Sequence, residues 1–289
     1  MTRVVWKFIH SFFRIPFFEK ALLFFVKGKY SDAFIIRFIP PFETYNNPTY
    51  RIARKGKLKL HANLHDYNDW KAYWGILEYE RQNLYKLAEN ARSVIDIGTN
   101  NGWVLLNIAD IISKNGGFVY GFEPFPDTYK RCMQNLQSSG ITNAQVFNKG
   151  CGETESSFKM KIVAETNSGQ NRIIDNRLKK EANTFDVLVT TLDKQLHNIE
   201  SIDLIKIDVE GFELHVLKGA DFLLTKYRPA IFIEINDPLL KANNTSAWEV
   251  LNLLKNKHAY NLTNARDGKP IEANSNLNNT QIDVICKPA

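Results

Sequence analysis

Two short apolar segments, each ending at a polar turn, most constrain what this chain can fold into. The first, residues 94–97, runs into a turn with glycine at 98 and 102, and the second, residues 118–122, ends at Glu123. Glycine lets the backbone turn sharply and approach a ligand closely. Glu123 lies 21 residues after Gly102, close to the spacing at which a strand–helix–strand unit presents an acid to ribose hydroxyls. The pattern therefore predicts a nucleoside-type ligand at this turn.

Apolar strand-length segments alternate with helix-length segments from residue 93 onward. Strands are predicted at 94–97, 118–122, 144–148, 203–207 and 230–235, and helices at 102–113, 126–138, 212–224 and 246–257. Parallel strands buried on both faces of a sheet have this nearly continuous apolar character. The sequence therefore predicts an α/β fold, a mostly parallel, Rossmann-like sheet covered by helices. The final segments, around 260–262 and 282–286, predict a C-terminal strand pair.

Polar residues stand at or just after the ends of these predicted strands. They are Asp96, Glu123, Asn148, Asp208, Glu210, Glu234 and Asn236, and Gly98 follows the first strand. The carboxyl ends of parallel strands meet at one edge of a sheet, and ligands bind beyond that edge. We therefore expect these side chains to surround a single site.

The chain length and composition suggest the domain organisation and the compartment. With 289 residues, the chain can form one large α/β domain, which we place at 61–289, and an N-terminal extension at 1–60. The three cysteines are scattered without metal-ligand spacing, which indicates reduced thiols in the cytoplasm. A net charge of +6 suits an anionic partner without selecting one, and the dispersed basic residues argue against nucleic acid.

Residues 1–42 form a segment rich in aromatic and basic residues. Charged residues and Pro16 interrupt it before about 18 apolar residues accumulate, so the segment does not predict a membrane-spanning helix. Two interpretations remain open. The segment is either a helical arm packed on the main domain or in a homodimer interface, or a basic amphipathic helix that attaches the protein peripherally to the anionic inner face of a membrane.

Four segments together resemble a known family. They are VIDIGTNNG at 94–102, GFEPFP at 121–126, IKIDVEGFELHVLKGA at 205–220 and IFIEIN at 231–236. Across these segments the chain resembles the FkbM family of S-adenosylmethionine-dependent methyltransferases. The resemblance implies a seven-stranded sheet whose last strand is antiparallel, and S-adenosylmethionine as the cofactor. It also implies O-methylation, with a sugar hydroxyl of a glycan, polysaccharide or glycolipid as the acceptor.

The resemblance further assigns residues to the cofactor. It implies that the turn after the first strand holds the methionine part, that Glu123 and Pro124 hold the ribose, and that Asn148 borders the adenine. Asp208 would lie near the methionine end. The turn residues in this set are Asp96, Gly98, Thr99, Asn100, Asn101 and Gly102.

Methyl transfer to a hydroxyl requires that the acceptor oxygen be positioned and that its proton be removed. A carboxylate or an imidazole near the methyl group can take the proton. We expect Asp208 to be a site residue, near either the methionine end of the cofactor or the acceptor. Further candidates are Glu210, Glu234 and His65.

Two alternatives remain for the acidic residues. Glu210 would favour the N-terminus of the following helix and could simply cap it. Asp208, Glu234 and Asn236 carry the oxygen ligands that a divalent cation prefers. We favour a site without metal, because the chain has no adjacent pair of aspartates here.

The acceptor site is less constrained by the sequence. Trp70, Tyr73, Trp74 and Leu77 follow helical spacing, which indicates either core packing or an aromatic wall for a sugar. We expect the acceptor to be chosen by residues 60–75, by the loop at 167–185 and by the segment after Asn236.

Other functions remain open at this point. One is O-methylation of a non-sugar natural product, and another is a non-catalytic module that binds a cofactor or a glycan. An NAD-dependent oxidoreductase also uses a strand–helix–strand unit with an acid. This chain, however, lacks GxGxxG, and its residues 205–220 have no role in such an enzyme.

Overall fold

The computed structural model of the protein describes residues 3–45, 48–161, 172–174, 184–272 and 275–289. Within these ranges the strands are β1 (Tyr50–Lys55), β2 (Leu58–Asn63), β3 (Ser93–Ile97), β4 (Phe118–Phe122), β5 (Ala144–Phe147), β6 (Gly150–Cys151), β7 (Ser156–Lys161), β8 (Arg172–Ile174), β9 (Thr184–Thr190), β10 (Leu204–Ile207), β11 (Ala230–Asn236), β12 (Tyr260–Asn264) and β13 (Gln281–Pro288). The α-helices are α1 (Arg3–Phe12), α2 (Pro16–Val26), α3 (Tyr67–Trp74), α4 (Tyr79–Ala88), α5 (Trp103–Ser113), α6 (Pro126–Ser139), α7 (Leu192–Gln195), α8 (Glu213–Lys218), α9 (Asp221–Tyr227), α10 (Asp237–Ala242) and α11 (Ala247–Asn252).

Seven strands form the central sheet, in the order β12-β13-β11-β10-β3-β4-β5. The neighbours from β11 to β5 pair in parallel, whereas β13 is antiparallel to both β11 and β12. The predicted α/β fold, with a mostly parallel seven-stranded sheet and an antiparallel last strand, is therefore confirmed. In this order β3 and β10 lie side by side, and the chain leaves them toward opposite edges of the sheet. Such a switch point opens a crevice at the carboxyl ends of the strands.

Helices cover both faces of the sheet, because successive strand residues point to opposite faces. On one face Ile95, Ile205 and Ile231 pack among buried residues of α8, α9 and α11. On the other face Val94 and Leu204 pack against buried residues of α4, α5 and α6. The hydrophobic core is thus two layers, one on each side of the sheet.

One predicted helix is wrong in its extent. The helix expected at 212–224 is two helices, α8 and α9, which break at Gly219 and Ala220. A Cβ atom on Gly219 would lie 1.9 Å from the carbonyl oxygen of Gly152. The chain therefore needs glycine there, and this close approach to another segment coincides with the end of α8.

The N-terminal region packs a third cluster of its own. Leu22 and Val26 of α2 are buried with Leu60 of β2 and with Tyr73 and Trp74 of α3. The aromatic residues at helical spacing therefore belong to a core, as the first of the two interpretations held. The boundary placed at 60/61 lies within β2.

Buried polar contacts also join the N-terminal helices to this cluster. Glu19 of α2 is buried and accepts hydrogen bonds from Arg51 Nε at 2.8 Å and from the Tyr73 hydroxyl at 2.6 Å. Among the described residues, none of the helices has the length and apolarity required to cross a bilayer.

A smaller four-stranded sheet, in the order β6-β9-β7-β8, lies after β5 in the chain. Its strands span the chain from Gly150 to Thr190. Most of the loop predicted at 167–185 as an acceptor determinant lies outside the described residues.

Candidate functional site

A cavity of about 740 Å³ opens at the carboxyl ends of the central strands. Nine of the residues nominated from the sequence line it, namely Gly98, Thr99, Asn100, Asn101, Glu123, Pro124, Asp208, Glu210 and Glu234. The expectation that the strand ends surround one site thus agrees with the cavity. Its volume lies within the range of about 300–1,000 Å³ that is usual for small-molecule sites.

The turn after β3 has a backbone that few residues adopt. Gly98, Asn100 and Gly102 have φ values of 80°, 52° and 85°, which is the left-handed region open mainly to glycine and asparagine. A Cβ atom on Gly98 would lie 1.8 Å from the carbonyl oxygen of Asp208. The ends of β3 and β10 are therefore in direct backbone contact, which only glycine permits.

Glu123, at the end of β4, is held against this turn. Its two carboxylate oxygens accept the backbone N–H groups of Asn100 at 2.8 Å and of Phe125 at 2.9 Å. Burial raises its pKa to about 7, although the two N–H donors oppose that shift. Each carboxylate oxygen can accept more than one hydrogen bond, so the oriented carboxylate retains capacity for a pair of ligand hydroxyls.

A buried ion pair joins the ends of β3 and β10. Lys206 Nζ lies 3.1 Å from Asp96 Oδ1 and 3.5 Å from Asp208 Oδ2, and it donates to the Gly98 carbonyl at 2.8 Å. Burial lowers the pKa of Lys206, but Asp96 and Asp208 outweigh it, and the net shift is upward. The buried ammonium group of Lys206 therefore has two carboxylate partners. Asp96 is fully buried and does not line the cavity, so it acts on the turn through Lys206.

Asp69 of α3 supports the turn from the other side, and the sequence analysis did not identify it. Its Oδ1 accepts a hydrogen bond from Asn101 Nδ2 at 2.6 Å, and its Oδ2 accepts one from the Asn63 backbone at 2.8 Å. Arg131 of α6 forms an ion pair with the same carboxylate. Burial raises the pKa of Asp69 to about 6, and Arg131 opposes that shift.

Three carboxylates converge after β10 and β11. Asp208, Glu210 and Glu234 each place one carboxylate oxygen within 4.8 Å of the others. Burial raises the pKa of Glu234, and the charges of Asp208 and Glu210 raise it further. The pKa of Glu210 is also raised, by burial and then by Asp208. Carboxylates this close do not all ionise together near neutral pH, so the cluster can take up or release a proton.

The same three carboxylates bear on the cation alternative. Their oxygens suit Mg²⁺ or Ca²⁺, but the nominated Asn236 is engaged elsewhere, because its Oδ1 accepts the Leu239 N–H at 3.4 Å as the cap of α10. Glu210 is the alternative candidate for a cap at the N-terminus of α8, and the structure does not support that role. The N–H of Gly211, just before this helix, donates instead to Glu213 at 3.0 Å.

Helices α3 and α4 contribute cations and an aromatic ring that the sequence analysis did not assign. Glu78 pairs with Lys71 at 2.7 Å and with Arg81 at 3.2 Å, and Lys71 lies 4.6 Å from the centre of the Tyr67 ring. All four line the cavity together with Trp103. Tyr67 and Lys71 belong to the segment 60–75, which the sequence analysis had nominated for acceptor choice.

The remaining nominated residues lie away from the cavity lining. Asn148 donates to the carbonyls of Glu123 and Pro124 at 2.9 and 3.1 Å, so it secures the end of β4, while Gly150 and Cys151 line the cavity. Gly102 begins α5, where a Cβ atom would lie 2.7 Å from Cys132 Sγ. His65 is half-buried and does not line the cavity.

The sheet order and the site at its carboxyl edge define a Rossmann-like methyltransferase fold. The chain belongs to the FkbM methyltransferase family, whose Methyltransferase FkbM domain matches residues 96–262. It is 25% identical over 146 residues to "Methyltransferase 1" of Beauveria bassiana (strain ARSEF 2860). That match covers 44% of this chain and 58% of the relative, so it spans less than two thirds of the relative's length.

Several solved structures are similar to this chain. Methyltransferase FkbM from Methylobacillus flagellatus KT has a TM-score of 0.42 and 17% identity, over 68% of this chain and 43% of its own. A putative methyltransferase from Streptococcus mutans in complex with SAH has a TM-score of 0.43 and 12% identity, over 72% and 95%. The O-methyltransferase TomG from Streptomyces achromogenes in complex with SAM has a TM-score of 0.43 and 10% identity, over 73% and 79%.

Replacement of Lys206 by methionine should destabilise the protein, because it leaves Asp96 buried without its cation. We expect the unfolding free energy to fall by about 3–5 kcal/mol in Lys206→Met, as measured by urea denaturation. The double variant Asp96→Asn/Lys206→Met should lose less than the sum of the two single changes, since it removes both charges. Strictly additive losses would show that the two residues do not interact.

The stability of the protein should fall as the pH rises. Since burial raises the pKa of Glu210 and Glu234, the folded protein keeps protons on them above about pH 4.3, where the unfolded chain has released them. Linkage then requires the unfolding free energy to decrease from that pH upward through the raised pKa values.

Urea denaturation at a series of pH values tests this dependence. Glu234→Gln cannot ionise at this position and should therefore lose less stability between about pH 5 and 9 than the wild type. The control is Glu200→Gln, at an exposed residue, which should keep the wild-type slope. An unchanged slope in Glu234→Gln would contradict the assignment.

Proposed function

We propose that this methyltransferase uses S-adenosylmethionine to methylate a hydroxyl oxygen, and that the acceptor is a sugar in a glycan, polysaccharide or glycolipid. The proposal rests on one observation: a single cavity has two halves. One half holds the glycine turn and the oriented Glu123, and the other holds Asp208, Glu210 and Glu234, which can take up a proton. The first half suits the nucleoside part of the cofactor, and the second suits an acceptor that must lose a proton.

The residues of the first half fit the cofactor. Glu123 is buried, and its two backbone partners fix the direction of its carboxylate, which suits the two adjacent hydroxyls of a ribose. The turn from Gly98 to Asn101 would border the methionine part, where Lys206 and Asp208 supply one charge of each sign. When bound, the cofactor supplies an activated methyl group.

The residues of the second half would handle the acceptor proton. Asp208 lines the cavity, is partly exposed, and lies within 4.8 Å of the Glu210 and Glu234 oxygens. We assign it as the group that accepts the proton, with Glu210 and Glu234 as the groups that share it. Because a general base works best when its pKa lies near the working pH, the raised pKa values of the two glutamates favour this use. His65 has no part in the proposal, since it does not line the cavity.

The mixed character of the lining favours a sugar acceptor. Lys71, Arg81 and Gln281 offer hydrogen-bond donors, and the carboxylates offer acceptors. Tyr67 and Trp103 add aromatic surface to the same wall, on which the apolar face of a pyranose can pack. A flat, apolar natural product would displace water from these donors and acceptors without replacing its hydrogen bonds, which costs free energy.

Cofactor binding can be tested without knowing the acceptor. S-adenosylhomocysteine should raise the melting temperature of the wild type, whereas NAD⁺ should not. Glu123→Ala should weaken S-adenosylhomocysteine binding at least about tenfold by calorimetry, because it removes a hydrogen-bonded, oriented carboxylate. Glu200→Ala, at an exposed position, should bind like the wild type. Stabilisation by NAD⁺ instead would contradict the cofactor assignment.

The acceptor can be found by comparing the surface glycans of cells with and without the gene. Mass spectrometry should show that one O-methyl group disappears from a defined sugar, and purified enzyme with S-adenosylmethionine should restore that group to the extracted glycan. Asp208→Asn should restore it at a rate lower by about 10²–10⁴-fold, even at concentrations of S-adenosylmethionine that saturate the variant. If every O-methylated glycan is unchanged, the sugar assignment is wrong although the cofactor assignment stands.

A further inference from the structure

Helices α1 and α2 and the 3-10 helix at Phe34–Phe38 expose large apolar side chains to solvent. Phe8, Phe17, Phe24, Phe25 and Phe34 are each between 60% and 81% exposed. A monomeric soluble protein rarely exposes so many large apolar side chains in one region. These rings therefore mark a surface that is covered in the working protein.

The exposed rings of α2 belong to a helix that packs firmly on the rest of the protein. On α2, Leu22 and Val26 are buried in the N-terminal cluster, and Glu19 holds Arg51 and Tyr73. Phe17 and Phe24 lie on the opposite side of the same helix, since residues three or four apart share one face. The inner face of α2 is thus buried against the N-terminal cluster, whereas its outer face is apolar and exposed.

A series of ring contacts joins α1, α2 and the 3-10 helix at Phe34–Phe38 into one surface, which we call the aromatic arm (residues 3–38). The ring centroid distances along it are 5.7 Å for Phe34 and Phe38, 6.4 Å for Phe38 and Phe13, 5.3 Å for Phe13 and Phe12, 3.7 Å for Phe12 and Phe18, and 5.3 Å for Phe18 and Phe17. Rings from three elements therefore act as a single apolar patch.

The aromatic arm also carries most of the net charge of the protein. Its seven lysines and arginines and two acidic residues give +5, against +6 for the whole chain. Lys7, Lys20 and Lys29 are exposed, and none forms an ion pair with another residue in the described part of the chain. A cationic surface with exposed phenylalanines suits an anionic membrane. Lipid phosphates attract the lysines, and the boundary between headgroups and acyl chains can bury the aromatic rings.

We propose that the aromatic arm binds the surface of an anionic membrane, with its exposed phenylalanines at the boundary between headgroups and acyl chains and its lysines beside the lipid phosphates. A second copy of the chain is the less suitable occupant. A two-fold interface would place each arm against an identical arm, so that the same unpaired lysines would face one another and repel. This proposal does not rest on the identity of the acceptor.

The arm also reaches the rim of the cavity. Ser31 lines the cavity, and Tyr30 next to it stacks on Tyr79 of α4 with ring centroids 4.1 Å apart. The membrane-facing surface and the mouth of the site are therefore connected through residues 30–34. A protein bound in this way would hold its cavity close to the headgroup layer.

Flotation of the full-length protein with vesicles tests the proposal. The protein should float with vesicles that contain phosphatidylglycerol and stay behind with phosphatidylcholine alone. Lys7→Glu/Lys20→Glu/Lys29→Glu should lower the partition coefficient at least about tenfold, because each cation near an anionic surface contributes to binding. Phe8→Ser/Phe17→Ser/Phe24→Ser should lower it similarly. Raising the salt from about 0.1 M to about 1 M shortens the Debye length from about 10 Å to about 3 Å and should release the wild type.

The matched control is Lys114→Glu/Lys255→Glu/Lys287→Glu, which changes the net charge equally at exposed lysines outside the arm and should keep most of the binding. Circular dichroism melting checks that every variant is folded. Equal losses in the control and in the arm variant would overturn the proposal, since they would reflect net charge alone. It would also be overturned if no protein floats and light scattering finds a dimer that the phenylalanine variant converts to a monomer.

Discussion

The site depends on the contact between the ends of β3 and β10. The carbonyl of Asp208 occupies the space where a Cβ atom of residue 98 would stand, and Lys206 links the same two strand ends through the Gly98 carbonyl and Asp96. The glycine turn and Asp208, whose carboxylate we propose as the acceptor of the proton, therefore share one backbone contact. Their relative position follows from the sheet register and is insensitive to how the surrounding loops are built.

The sequence predicts the sheet well, because each buried parallel strand is apolar over its own few residues and needs no knowledge of distant partners. The strand ends follow from the same pattern, which is why the turn residues, Glu123 and Asp208 could be placed at one edge. The break between α8 and α9 could not be predicted. Gly219 stands at the break, and its close contact with Gly152, in another segment, forms only in the folded chain.

Some site residues could not be predicted for the same reason, because their positions depend on contacts that form only in the folded chain. Asp69, Lys71 and Arg81 lie on helices that precede β3, and no spacing in the chain indicates which of their side chains face the strand ends. Asn148 is a nominated residue that does not line the cavity, although Gly150 and Cys151 shortly after it do. Its side-chain direction is set by two carbonyls of the β4 end, which no local pattern reveals.

Asp69 has a consequence for how the chain is divided. It ties the glycine turn to the Asn63 backbone at the end of β2, and β2 is held by pairing with β1 along its full length. A shortened chain that begins after residue 60 would lose β1 and part of β2, and with them the support beneath Asn101. The N-terminal hairpin thus supports the glycine turn at the edge of the cavity, and we expect the turn to lose its observed geometry when the hairpin is removed.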